Sequence, residues 1–205
     1  MYDETPKTAT VIYSKALLRS LEFLLQSAKN SRAELELEAY NTAIVLVSNS
    51  FMEAFLNEQL TVYLMAFKEG RAELEDTIQK LKRFGCIQEK WNFLLKGQYA
   101  WKSGKAIFSN AEILISLRNE INHFKADLVA PGYTPTKKIK HLIKTIGADK
   151  TFPENNYYTE EDMPHWLPVI LESTELGEWC INSITNLEGE HSKNIIQLYN
   201  DRPSN

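Results

Sequence analysis

The sequence predicts an all-α, up-and-down bundle of roughly five or six helices over residues 8–130, with residues 131–205 packed on it as a C-terminal helical extension. Three observations carry that prediction. Apolar residues recur at helical spacing through most of the first two thirds of the chain. Turn formers are scarce, with 8 Gly and 7 Pro in 205 residues, which argues against a many-stranded β fold. The apolar fraction of 43% is that of an ordinary globular chain, and this length is enough for one sizeable core.

Taken in order, Thr8 or Thr10 is placed to cap a first helix running to about Asn30. Its apolar side reads Ile12, Leu17, Leu18, Leu21, Leu24, Leu25 and Ala28. Ser31 with Glu34 forms a capping-box pattern for a long second helix, Arg32 to Lys68. Ile44, Leu46, Val47, Phe51, Phe55, Leu56, Val62 and Tyr63 mark it as the central core helix. Asn49, Glu53 and Asn57 are spaced by four inside it and share a face. Such a stripe either meets solvent, the commoner outcome, or satisfies a partner's polar groups. Gly70 closes that helix, Arg71 to Phe84 is a third ended by Gly85, and Ile87 to Leu95 a fourth ended by Gly97. The Trp91, Phe93, Tyr99 and Trp101 cluster offers surfaces for stacking bases, although such spacing more often marks core.

The clearest amphipathic run follows, opened by a Ser109/Glu112 capping box and stopped by Pro131, Gly132 and Pro135. Leu114, Leu117, Ile121, Phe124 and Leu128 recur at steps of 3, 4, 3 and 4, the spacing of one buried face. Arg118 and His123 lie roughly 140° apart around that helix. With Asn119 and Asn122 they occupy the arc opposite the apolar stripe. A helix built this way holds one face in the core and displays the other. Thr136 to Ile146 then reads as a short basic helix, Gly147 to Pro164 as a surface loop, and Pro168 to Leu187 as a helix. Asn194 to Tyr199 adds a last turn.

The net charge of −4 does not advertise a nucleic-acid binder, but the charge is unevenly spread. Bases outnumber acids from Lys68 to Lys105, and Lys137, Lys138, Lys140, Lys144 and Lys150 form a second basic run. Glu154 to Glu190 holds nine acids and no Lys or Arg. Local basic patches still hold phosphates, because screening confines each patch's field to about 8–10 Å. Cys86 and Cys180 match no metal-ligand spacing and read as reduced thiols, and no metal or cofactor site is expected. Met1 to Thr10 is polar with no signal-like apolar region, and no run approaches the ~20 apolar residues of a membrane span. A cytoplasmic protein with no membrane partner is the expectation.

Arg118-Asn119, followed after three intervening residues by His123 on a helix that comes after a Lys-rich helical hairpin, resembles the signature of the HEPN superfamily (higher eukaryotes and prokaryotes nucleotide-binding). The stretch Ser50 to Asn57, with Glu53 at its centre, resembles the earlier core helix of many such proteins. The likeness covers roughly Val11 to Leu128. It implies a bundle of HEPN type and a homodimer whose motif helices face each other across the interface. It also implies metal-independent cleavage of RNA at the composite site, with Arg118, Asn119 and His123 catalytic. Glu53 and Asn122 are supporting candidates.

The residue types suit that chemistry. Attack of a 2′-OH on the neighbouring phosphorus needs a proton removed, the phosphoryl oxygens neutralised and the leaving 5′-oxygen protonated. A histidine with a pKa near ~6.5 carries such transfers. An arginine offers a permanently charged forked donor to the oxygens. The resemblance extends to a toxin or defence role, with an antitoxin or other regulator as partner. Two alternatives stand beside it: a non-catalytic HEPN module for interaction or nucleotide binding, and a helical scaffold in which Arg118 pairs with Glu53 or Glu120. His141, His165 and His191 stand in no ligand or triad spacing.

Overall fold

The 32-residue helix α2 (Glu34–Met65) is the axis on which the other elements are laid. Its buried residues lie on several sides rather than along one stripe, as expected of a helix surrounded by neighbours. Ile44, Val45, Phe51, Met52, Phe55, Leu56 and Leu60 are all buried, while Val62, expected in the core, is 53% exposed near the helix end. The computed structural model describes residues 12–65, 71–96, 99–102, 105–123, 136–148 and 166–200.

Around α2 the chain places α1 (Tyr13–Asn30), α3 (Arg71–Phe84), α4 (Ile87–Leu94), α5 (Ala106–His123), α6 (Lys137–Thr145), α7 (Trp166–Leu171) and α8 (Leu176–Asn200). Among the described residues the protein is all-α, with five helices before residue 130 and three after it. One hydrophobic cluster draws on every helix, from Leu21 of α1 through Ile78, Trp91, Leu117, Leu142 and Ile170 to Ile184 of α8. The boundary expected at 130/131 lies outside the described residues. No helix among them is long and apolar enough to cross a membrane.

Several helix ends differ from the sequence expectation, and each difference has a local cause. Thr8 and Thr10 lie outside the described residues. At the start of α1 no side chain of its own caps the helix. Glu58 of α2 supplies the cap instead, accepting from the Ser14 backbone N–H at 2.8 Å and the Ser14 hydroxyl at 2.5 Å. Ser31 closes α1 rather than opening α2: its backbone is extended and its N–H donates to the Ala28 carbonyl at 3.2 Å. α5 starts at Ala106, not Ser109, whose N–H already donates to the Lys105 carbonyl at 2.9 Å. Glu112 is thereby released from capping and accepts from Trp101 Nε1 at 2.9 Å and Lys138 Nζ at 2.5 Å.

The single helix expected at Pro168–Leu187 is broken into α7 and α8. The break is held from outside by buried Asn41 of α2, whose Nδ2 donates to the Leu171 carbonyl at 2.7 Å and the Ser173 carbonyl at 2.8 Å. Beyond it α8 runs without interruption through the residues read as a separate last turn. α8 packs against α2, α5 and α1. The aromatic cluster is core: Trp91 and Trp101 are buried, with Trp91 edge-on to Phe108 at 5.2 Å and to His191 at 5.2 Å.

Candidate functional site

The polar stripe of α2 and the displayed arc of α5 meet along one groove of about 650 Å³. This falls within the usual range of ligand sites, about 300–1,000 Å³. α2 contributes Asn49, Ser50, Glu53 and Asn57; α5 contributes Arg118, Asn119 and Asn122; Cys86, at the start of α4, adds to the lining.

Each wall is fixed by hydrogen bonds that the stripe itself makes. Asn49 is buried, and its Nδ2 donates to the Val45 carbonyl at 2.9 Å and across to the Leu114 carbonyl of α5 at 3.1 Å. It therefore ties the two walls together, and the solvent-facing expectation fails at this position. Glu53 pairs with Lys90 of α4, whose side chain is only 2% exposed while that of Glu53 is 45% exposed. The ammonium lies beneath the groove and the carboxylate reaches up into it. Asn57 Oδ1 is closed off from solvent without a hydrogen-bond partner among the described residues.

On the opposite wall Leu114 and Leu117 are fully buried, which turns Arg118, Asn119 and Asn122 outward as the periodicity predicts. Arg118 Nη1 donates to Asn119 Oδ1 at 3.0 Å. Arg118 makes neither of the ion pairs that the scaffold alternative would give it, because Glu53 is engaged by Lys90 and no carboxylate among the described residues reaches the guanidinium. Its charge is left for something else. His123 is the last residue of α5, one turn beyond Asn119. Its side chain, like Phe124 and Leu128, lies outside the described residues.

Thus four of the five candidate residues, Glu53, Arg118, Asn119 and Asn122, line one groove. Two further residues at it escape the sequence reading. Lys90 had a signal: it stands among Ile87, Trp91 and Leu94 on the buried stripe of α4, where an unpaired lysine is not tolerated. Cys86 had none, since its place comes from α4 docking on α2. It caps α4, its Sγ accepting from the Glu89 backbone N–H while the Glu89 carboxylate accepts from the Cys86 N–H at 2.8 Å.

The two other described histidines stand apart from the groove. His141 is exposed on α6 and His191 is buried on α8, where loss of solvent pushes its imidazole down to about 4. His165 lies outside the described residues. Among the described residues no three His, Cys, Asp or Glu side chains gather as metal ligands.

No family model matches the chain. Neither does any curated protein or any solved structure. The chemistry of the groove carries the functional argument.

Proposed function

We propose that this chain is a metal-independent endoribonuclease of HEPN type, acting as a homodimer in toxin or defence chemistry under the control of a neutralising partner. The observation that supports it is the convergence of Arg118, Asn119 and Asn122 with Glu53 on one groove, with the Arg118 charge unneutralised among the described residues. An exposed, uncompensated guanidinium beside an amide-rich wall suits a phosphodiester, which carries one negative charge and needs donors to its two free oxygens.

In this reading His123 takes the proton from the ribose 2′-OH, and the 2′-oxygen attacks phosphorus. The P–O5′ bond breaks, and a second proton goes to the leaving oxygen, from His123 of the symmetry-related protomer. Arg118 holds the phosphoryl oxygens as their charge grows. Asn119, whose Oδ1 accepts from Arg118, keeps Nδ2 for the substrate. The products are a 2′,3′-cyclic phosphate and a 5′-OH end.

A second reading is favoured by a different feature. The groove is assembled from α2, α4 and α5 of one protomer, and its size suits a nucleotide. A binding module without cleavage would need nothing more. Incubation of the purified protein with single-stranded RNA in excess EDTA separates the two. Cleavage to cyclic-phosphate ends is expected, reduced by about a hundredfold or more in His123→Ala and Arg118→Ala. Intact RNA, or equal cleavage by His123→Ala, sinks the ribonuclease reading. Sedimentation at one chain's mass removes the composite site.

A further inference from the structure

The hydrogen bonds already made around the groove leave its two walls with opposite character. On α2, the Asn49 amide nitrogen is committed to the Val45 and Leu114 carbonyls, and the Ser50 hydroxyl proton to the Leu46 carbonyl at 3.1 Å. What those side chains have left to offer are oxygens. Glu53 adds a carboxylate with one oxygen bound to Lys90 and the other uncommitted among the described residues, whereas the Asn57 Oδ1 is closed off from solvent and offers nothing to the groove. On α5, the Asn119 oxygen is the committed atom, leaving its amide N–H groups, and Arg118 has donors only. Around Glu53 the groove accepts, and around Arg118 and Asn119 it donates.

We infer that the groove is a guanine-selective nucleotide site, with the base's donor edge against Glu53 and its phosphate on Arg118 and Asn119. This inference rests on reading the groove as an RNA-binding site, and names the base it takes. Guanine carries two adjacent donors, N1–H and the 2-amino group, whose spacing matches the two oxygens of a carboxylate. Adenine and cytosine pair their single amino group with a neighbouring ring acceptor, which would face the carboxylate lone pairs. Uracil flanks its one N–H with two carbonyls. The Lys90 ammonium, buried beneath the groove, holds the Glu53 carboxylate in place. The arrangement rejects the other bases by leaving acceptors against acceptors, a stronger discrimination than shape alone provides.

The test uses the full-length wild-type protein and the free 5′-nucleotides GMP, IMP, AMP, CMP and UMP, titrated by calorimetry. IMP is guanine's ring without the 2-amino group. GMP should bind tightest, with IMP weaker by about tenfold or more, the worth of one hydrogen bond to a charged acceptor. GMP should also slow alkylation of Cys86 by N-ethylmaleimide, because that exposed thiol lines the groove while Cys180 is buried. Glu53→Gln, which presents an amide donor to the base, should abolish the preference for GMP over IMP. If that variant does not fold, the wild-type nucleotide series still decides. Equal affinity for GMP and IMP, no binding, or binding that leaves Cys86 unprotected overturns the inference. The two readings fail separately. Histidine-dependent RNA cleavage with no GMP preference defeats this inference alone, and GMP-selective binding without cleavage defeats the ribonuclease alone.

Discussion

At the scale of single residues, the Glu53–Lys90 pair decides what kind of groove this is. Were Glu53 unpaired, its charge would oppose any phosphate brought to Arg118. Paired, it is electrically balanced by Lys90 and serves as a hydrogen-bond acceptor. The pair is asymmetric, with Lys90 almost fully buried and Glu53 nearly half exposed. Removing the exposed partner should therefore cost more than removing the buried one. Glu53→Ala strands an ammonium in the core and should lower stability by up to about 3 kcal/mol, the low end for a broken buried pair because Glu53 is partly hydrated. Lys90→Met leaves a carboxylate that water can reach and should cost less than about 1 kcal/mol. Urea denaturation of both variants checks the order, and a reversal would place the buried charge elsewhere. Glu53 could be picked out by its spacing from Asn49 and Asn57. Its partner 37 residues away could not, because helical periodicity carries no information about which helix will pack where.

The elements carry a second lesson in the two glycines of α8. A Cβ on Gly177 would stand 3.0 Å from Ile44 Cδ1, 3.0 Å from Leu25 Cδ1 and 3.2 Å from Asn41 Oδ1, where α8 crosses α2 and α1. Gly189, further along the same helix, has open space around it. Gly177→Ala should destabilise by about 1–3 kcal/mol through overpacking, whereas Gly189→Ala should stabilise by up to about 1 kcal/mol through helix propensity. Paired thermal melts read both, and equal shifts would mean that the close approach at Gly177 is not what seats α8. The same crossing explains the break between α7 and α8. Asn41 satisfies the carbonyls of Leu171 and Ser173, so the chain can leave one helix and start another without orphaned acceptors. Sequence periodicity runs through that break because the apolar residues on either side, Ile170 and Leu176, both face the core.

For the molecule as a whole, His191 links its stability to pH. It sits on α8, edge-on to Phe55 of α2 at 5.3 Å and to Trp91 of α4, and burial lowers its pKa from 6.5 to about 4. The unfolded chain therefore binds a proton that the folded one refuses between those values, and stability falls as pH drops through that window. The contribution is complete above about pH 6.5 and its loss is on the order of 3 kcal/mol by pH 4. His191→Phe, which keeps an aromatic ring in the cluster, should flatten the slope between pH 6.5 and 4 relative to wild type in urea titrations. An unchanged slope would show that the histidine is protonated in the folded state.

What the sequence determined by itself was local. Apolar spacing settled the all-α class, α3 and α4, and the turning of Arg118, Asn119 and Asn122 away from a core held by Leu114 and Leu117, because a helix's faces follow from 3.6 residues per turn alone. The cap at Ser31 misled because the same side chain suits either end of a helix, and the one at Ser109 because α5 begins a turn earlier, at Ala106. Only the tertiary structure decided that α2 and α5 would be tied by Asn49, that Lys90 would rise under Glu53, and that Cys86 would line the groove. Those are contacts across 37 and 65 positions, made by packing and by the need to satisfy buried polar groups, and no short-range pattern encodes them.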